Sequence, residues 1–230
     1  FLHGLGVPLF KIASGELTNL PFLEHVARKG KPMIVSTGMA FLREVEEALN
    51  AVRKAGGTEV VLLHCTSDYP ANPSDCNLRA MVHMRETFNV PVGYSDHTAG
   101  LCVAVAAVAL GATVIEKHIT LDKRLSGPDH RASLEPAELR ALVQAVRETE
   151  QTLGDGIKRP MDAEQNTRAI ARKSLVAARD LSEGTVLQAH HLVAKRPGTG
   201  VPPGESARLI GRTLTRALSV DEMIQWMDVQ

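Results

Sequence analysis

Residues 90–120 read VPVGYSDHTAGLCVAVAAVALGATVIEKHIT. A short run rich in β-branched residues, Val90 to Ser95, gives way to an apolar segment, Gly100 to Leu110, which stops at Gly111. A second β-branched run follows, Thr113 to Thr120. Strand, helix and strand in that order form a βαβ unit, whose two strands run parallel. Both strands end on chemistry: the first on Ser95-Asp96-His97-Thr98, the second on Glu116-Lys117-His118.

Working outward, the first 155 residues repeat this alternation. Further strand-like runs are Pro8 to Ser14, Pro32 to Thr37 and Glu59 to Thr66. Helical patterns span Leu20 to Arg28, Phe41 to Ala55, Asn77 to Phe88 and Pro136 to Leu153, so five βα units are expected. Glycines follow the helices at Gly30, Gly56, Gly111 and Gly154, where a left-handed C-terminal residue is needed. Ser133, Glu135 and Glu138 suit the start of the last helix. Two architectures accommodate consecutive parallel units, an open doubly wound sheet and a (βα)8 barrel. The first strand is followed by Ser14-Gly15-Glu16 rather than GxGxxG. Polar residues crowd the carboxyl ends of all five strands, as in barrel enzymes. The reading therefore leans to a partial TIM barrel of class α/β, with three βα units expected ahead of Phe1 and, in their absence, unpaired edges that make these residues alone poorly soluble or inactive.

The expected domain boundaries are 1–156 for the barrel part, 157–172 for a polar linker and 173–230 for a small, loop-rich β domain punctuated by Gly184, Gly198, Gly200 and Gly204. Composition excludes several classes. With 26 Lys+Arg against 26 Asp+Glu, the chain lacks the basic surface of a nucleic-acid binder. Its longest apolar run, Leu101 to Leu110, is about half of a membrane span. Cys65, Cys76 and Cys102, an odd set without CxxC spacing, point to buried thiols in a reducing cytoplasm.

Three residue sets could carry chemistry. His97 and His118, at the ends of neighbouring strands, could hold a divalent ion, the plain alternative being two hydrogen-bonded rim histidines. Glu116 shares the face of His118, and Lys117 takes the other. Lys11, Ser14, Ser36, Thr37, Thr66, Ser67 and Ser95 suit an oxyanion, or else cap strand ends. Glu16, Asp96 and Asp129 could work as acid or base, or serve turns and ion pairs. His64 reads as a core histidine; His25 and His83 read as surface.

Taken together, several strings resemble the sialic acid synthase family, the N-acetylneuraminate synthases with their legionaminic and pseudaminic acid relatives. They are Lys11-Ile12-Ala13-Ser14-Gly15-Glu16, Ser36-Thr37-Gly38-Met39, Leu63-His64-Cys65-Thr66 with Tyr69-Pro70, Gly93-Tyr94-Ser95-Asp96-His97-Thr98, Glu116-Lys117-His118 and Gly127-Pro128-Asp129. The tail, from Ala171-Arg172-Lys173-Ser174 to Arg196-Pro197-Gly198-Thr199-Gly200, resembles the antifreeze-like (SAF) β-clip domain that ends these enzymes.

The resemblance implies condensation of phosphoenolpyruvate with the open-chain aldehyde of an N-acetylmannosamine-type sugar, giving a nonulosonic acid and phosphate. It implies a divalent metal, Mn²⁺ or Mg²⁺, on His97 and His118. Lys11, Ser14, Ser36, Thr66, Ser67 and Ser95 would bind phosphoenolpyruvate, Ser67 standing where the family often has Asn. Glu16 would act near the reacting carbons, and Tyr69 and Asp129 would contact the sugar. Arg196 would approach the sugar N-acetyl group from the partner of a homodimer, whose SAF domain covers the neighbouring barrel. The string from Gly127 to Pro136 looks closer to the neuraminic and legionaminic members than to the pseudaminic ones. Other readings are a non-catalytic carbohydrate binder and a Schiff-base aldolase, the latter weakened because Lys117 points off the His118 face.

Overall fold

The computed structural model describes residues 1–230, which form two compact units, Phe1–Gly156 and Ile157–Gln230. In the first unit, β1 (Phe10–Ile12), β2 (Met33–Ser36), β3 (Val60–Cys65), β4 (Val92–Asp96) and β5 (Ile115–Lys117) form one sheet in the order β1-β2-β3-β4-β5. Every pairing is parallel, with Lys11 beside Ile34, Ser36 beside Leu63, Cys65 beside Ser95 and Ser95 beside Glu116. A doubly wound sheet reverses its order at a switch point, whereas right-handed crossovers taken strand after strand turn the sheet into a barrel wall. The first unit is a half-barrel.

The helices are α1 (Leu20–Ala27), α2 (Leu42–Lys54), α3 (Arg79–Phe88), α4 (Cys102–Ala109) and α5 (Pro136–Leu153). Residues on one parity of each strand, among them Ile12, Met33, Val35, Leu62, Val92 and Tyr94, pack with Leu23, Leu49, Val52 and Met81 of the helices into one core. Leaving each of these side chains in water would forfeit roughly 1.5–3 kcal/mol. The opposite parity faces the barrel interior. There Gly93 has no room for a side chain, since a Cβ would lie 2.2 Å from the Val114 carbonyl oxygen and 2.7 Å from Leu63 Cδ2.

Several expectations shift in detail. The strands are shorter than the apolar runs that announce them, because their ends turn into loops. Helix α5 is capped by Glu135, whose N–H donates to Glu138 Oε2 at 2.8 Å, rather than by Ser133, whose hydroxyl donates to the Asp129 carbonyl. Cys65 and Cys76 are buried, but Cys102 is exposed at the first turn of α4. His64 is the expected satisfied histidine, bonded to the Cys76 carbonyl at 2.8 Å.

In the second unit the segment read as a linker is ordered locally, with a 3₁₀ turn at Asp162–Glu164 and helix α6 (Gln165–Ala171). It is tied down because Gly198 N–H donates to Ala169 O and Arg196 Nε to Ala171 O. β6 (Ser174–Ala177) pairs antiparallel with β7 (Leu192–Lys195), and isolated bridges join the remaining short pieces around Leu187, Leu209, Leu214 and Ile224. Ser174 Oγ donates to Pro197 O at 2.7 Å and accepts from Gly200 N–H at 2.8 Å, which fixes the corner carrying Arg196.

Gly93→Ala is expected to push β4 and β5 apart and destabilise the first unit by about 1–3 kcal/mol. Chemical denaturation followed by circular dichroism checks this; unchanged stability contradicts the close approach.

Candidate active site

The carboxyl ends of the five strands surround a cleft of about 400 Å³. Its wall is made by every second residue: Lys11 and Ala13 from β1 and its end, Ser36 from β2, Cys65 and then Ser67 from β3, Ser95 and His97 from β4, Glu116 and His118 from β5. Alternation along a strand sends these side chains inward while their neighbours enter the helical core.

One end of the cleft is cationic and hydroxylic. Lys11 Nζ lies 3.2 Å from Glu116 Oε2, and Ser95 Oγ donates to Glu116 Oε1 at 2.6 Å. Ser14 Oγ accepts from Gly38 N–H at 3.0 Å and sits 3.1 Å from Cys65 Sγ. Gly38 passes so close that a Cβ there would lie 2.2 Å from Ser67 Oγ. The next residue, Met39, holds a left-handed backbone (φ 66°), a strained conformation for a side-chain-bearing residue, and leaves its side chain on the cleft rim. Ser36 is 2% exposed, and its hydroxyl has no hydrogen-bond partner. A buried hydroxyl left unpaired is disfavoured unless a ligand completes it.

The other end is aromatic. The rings of His97 and His118 are 5.3 Å apart, edge to face, and Tyr69 stacks at 4.2 Å from His97 and 5.5 Å from His118. His97 Nδ1 is 2.7 Å from the Thr66 carbonyl, an acceptor, so Nδ1 carries the proton and Nε2, 3.4 Å from Ser95 Oγ, keeps its lone pair. Burial, reinforced by neighbouring His118 and opposed by the Thr66 bond, holds the His97 pKa below the ordinary histidine value. Burial, with Cys65, Asp129 and Glu116 nearby, raises the Tyr69 phenol. The donor set fits a divalent ion: a neutral imidazole oriented by a carbonyl is a usual metal-ligand arrangement. No three His, Cys, Asp or Glu side chains converge, so His97 and His118 would supply two positions and leave the others to substrate and water.

Of the residues singled out in the sequence, Lys11, Ser14, Ser36, Ser67, Tyr69, Ser95, His97 and His118 all line this cleft. Four do not. Glu16 ends a 3₁₀ turn and its carboxylate accepts from Asn19 Nδ2 at 2.8 Å. The Thr66 hydroxyl donates to Asp75 O, so this residue serves the site through its carbonyl. Asp129 stands on the rim, 3.9 Å from His118 Nδ1. Arg196 belongs to the second unit. Glu116 is the carboxylate inside the cleft; the parity it shares with His118 is the sequence signal that marks it.

The NeuB family matches residues 1–158, and the SAF domain matches residues 172–230. The chain belongs to the NeuB family. It is 48% identical to the N,N'-diacetyllegionaminic acid synthase of Campylobacter jejuni over 97% of this chain and 68% of that protein. It is 47% identical to the synthase of the same name from Legionella pneumophila, over all of this chain and 66% of that one. Among solved structures, the N-acetylneuraminic acid synthetase of Leptospira borgpetersenii, crystallised with citrate, is 40% identical with a TM-score of 0.67, over 72% of this chain and 58% of that one. This NeuB chain thus spans about two thirds of the length of the two synthases.

The tautomer is testable. Long-range ¹H–¹⁵N correlation spectra at pH 7 are expected to show His97 protonated on Nδ1 alone; a proton on Nε2 contradicts the orientation that the Thr66 carbonyl imposes.

Proposed function

We propose that this chain carries out the condensation of phosphoenolpyruvate with the open-chain aldehyde of an N-acetylmannosamine-type sugar, yielding a nonulosonic acid and phosphate. The observation that carries it is the union, in one cleft, of a cationic hydroxyl-lined end having an orphaned Ser36 hydroxyl with a pair of adjacent imidazoles. A phosphate- and carboxylate-bearing substrate suits the first, an aldehyde oxygen the second.

In this reading Lys11, Ser14, Ser36 and Ser95 hold the phosphate and carboxylate of phosphoenolpyruvate, with Ser67 as a further donor. These donors are already in place, so no reorganisation is needed as charge develops. The enol C3 attacks the aldehyde carbon: the C2–C3 double-bond pair becomes the new C–C bond, and the C=O π pair moves onto the aldehyde oxygen, which takes up a proton and becomes a hydroxyl. Water then adds at C2, losing its proton, and the tetrahedral product expels phosphate by C–O cleavage. A divalent ion, Mn²⁺ or Mg²⁺, bound through His97 and His118 would polarise the aldehyde oxygen. To Glu116, which lines the cleft beside Lys11, we assign the balancing of positive character at C2, whereas the resemblance gives Glu16 a role near the reacting carbons. Tyr69 and Asp129, at the mouth, contact the sugar.

Lys117 forms an ion pair with Asp96, its side chain 3% exposed, and does not line the cleft, which argues against a Schiff base there. The higher identity to two N,N'-diacetyllegionaminic acid synthases, against 41% for the human N-acetylneuraminate-9-phosphate synthase, favours a sugar with a second acetamido group. We further read the working form as a cytoplasmic homodimer in which Arg196 of one copy approaches the sugar of the other. Three free thiols suit a reducing compartment, and no helix is long and apolar enough to cross a membrane.

Phosphate release from phosphoenolpyruvate is expected only with both metal and sugar present, faster with the diacetamido sugar than with N-acetylmannosamine. Release that ignores the sugar would falsify the synthase reading. His97→Ala is expected to abolish turnover and metal binding together. A variant that keeps sugar binding while the wild type never turns over points instead to a carbohydrate-binding protein. Ser36→Ala should raise KM for phosphoenolpyruvate by about tenfold, the loss of one hydrogen bond to a charged group.

A further inference from the structure

Behind the two histidines, on the helix-facing side of the sheet, lies an ion pair that touches nothing in the cleft. Asp96 and Lys117 are register partners at the ends of β4 and β5. Lys117 Nζ donates to Asp96 Oδ2 at 2.8 Å, and the two side chains, Lys117 and Asp96, are 3% and 0% exposed. Lys117 Nζ also donates to the Thr98 carbonyl. Asp96 Oδ1 accepts from Thr98 N–H at 2.9 Å and from Thr98 Oγ1 at 2.7 Å. The residues immediately before and after His97 are therefore closed on each other and fastened to the residue immediately before His118.

Stability alone does not account for this arrangement. Taking two charges out of water is unfavourable enough that a buried pair is often no better than apolar residues of the same volume. What the pair does supply is a fixed distance: His97 cannot shift against His118 without separating two buried charges and releasing the Thr98 bonds.

We propose that Asp96 and Lys117 are positioning residues, a clamp that sets the separation of the two imidazoles for one divalent ion. The inference rests on the metal-dependent reading of the two histidines. The clamp acts on the ligands' backbone rather than on their ring nitrogens, which distinguishes it from the Thr66 carbonyl that orients His97.

The test is the double variant Asp96→Asn/Lys117→Met in the full chain. It removes both charges together, and Asn retains an acceptor for Thr98. Mn²⁺ binding is measured by electron paramagnetic resonance without substrates, beside wild type and His97→Ala. The expected result is a folded protein whose Mn²⁺ dissociation constant rises about 10–100-fold, as for other groups that support metal ligands, with kcat reduced and KM for phosphoenolpyruvate unchanged. A folded double variant with the wild-type Mn²⁺ constant overturns the clamp and leaves the two-histidine reading intact. Wild type that binds no Mn²⁺, or binds it equally as His97→Ala, overturns that reading and the clamp with it. Should the double variant fail to fold, Lys117→Arg decides: its charge is kept but its planar fork holds Asp96 at a different distance. Weakened Mn²⁺ binding supports the clamp, and wild-type binding overturns it.

Discussion

A strand offers its side chains to two sides in strict turn, and five parallel strands in fixed register multiply that rule into a wall with two different surfaces. Here the outer surface is apolar apart from His64 and the Asp96–Lys117 pair at its carboxyl end, and it drives folding; the inner one is polar at its carboxyl rim. Lys11, Ser36, Cys65, Ser95, His97, Glu116 and His118 share the inner side because each stands an even number of steps from its inward neighbour, and the register aligns them across strands. A slip of one residue in β5 would exchange Glu116 and His118 for Lys117, placing an ammonium where the imidazole belongs and a carboxylate in the core. Register and chemistry are thus one constraint.

That rule also explains how much could be read from the chain alone. The βα alternation, the half-barrel and the inward pairing of His97 with His118 follow from periodicity and from which residues end the runs. Glu116 was equally legible by parity, yet a lone carboxylate beside a histidine draws less notice than a motif. The placement of the Glu16 side chain was not legible: it follows a strand but sits in a 3₁₀ turn, where alternation no longer applies, and its carboxylate accepts from Asn19 Nδ2. Cys102 failed for the opposite reason. Helix α4 is apolar on nearly every side, so hydropathy gives no indication of which face is covered. The helical turn at Gln165–Ala171 was hidden because its partners, Gly198 and Arg196, are distant in sequence and only the folded chain brings them alongside.

The cleft combines stability-neutral and stability-costly features in a consistent way. An unpartnered Ser36 hydroxyl, a left-handed Met39 and a Lys11–Glu116 contact open to exchange all lie at the cationic, hydroxyl-lined end. The histidine side is over-determined instead, with the Thr66 carbonyl, the Tyr69 ring and the buried ion pair each fixing one degree of freedom.

The two lysines of the half-barrel wall make a natural pair of reporters. Lys11 faces the cleft with 32% of its side chain exposed, and Lys117 is sealed behind it. An amine-reactive reagent added to the native protein meets the first and not the second, so modification at position 11 records whether the cleft is filled, and modification at position 117 records only that the wall has come apart.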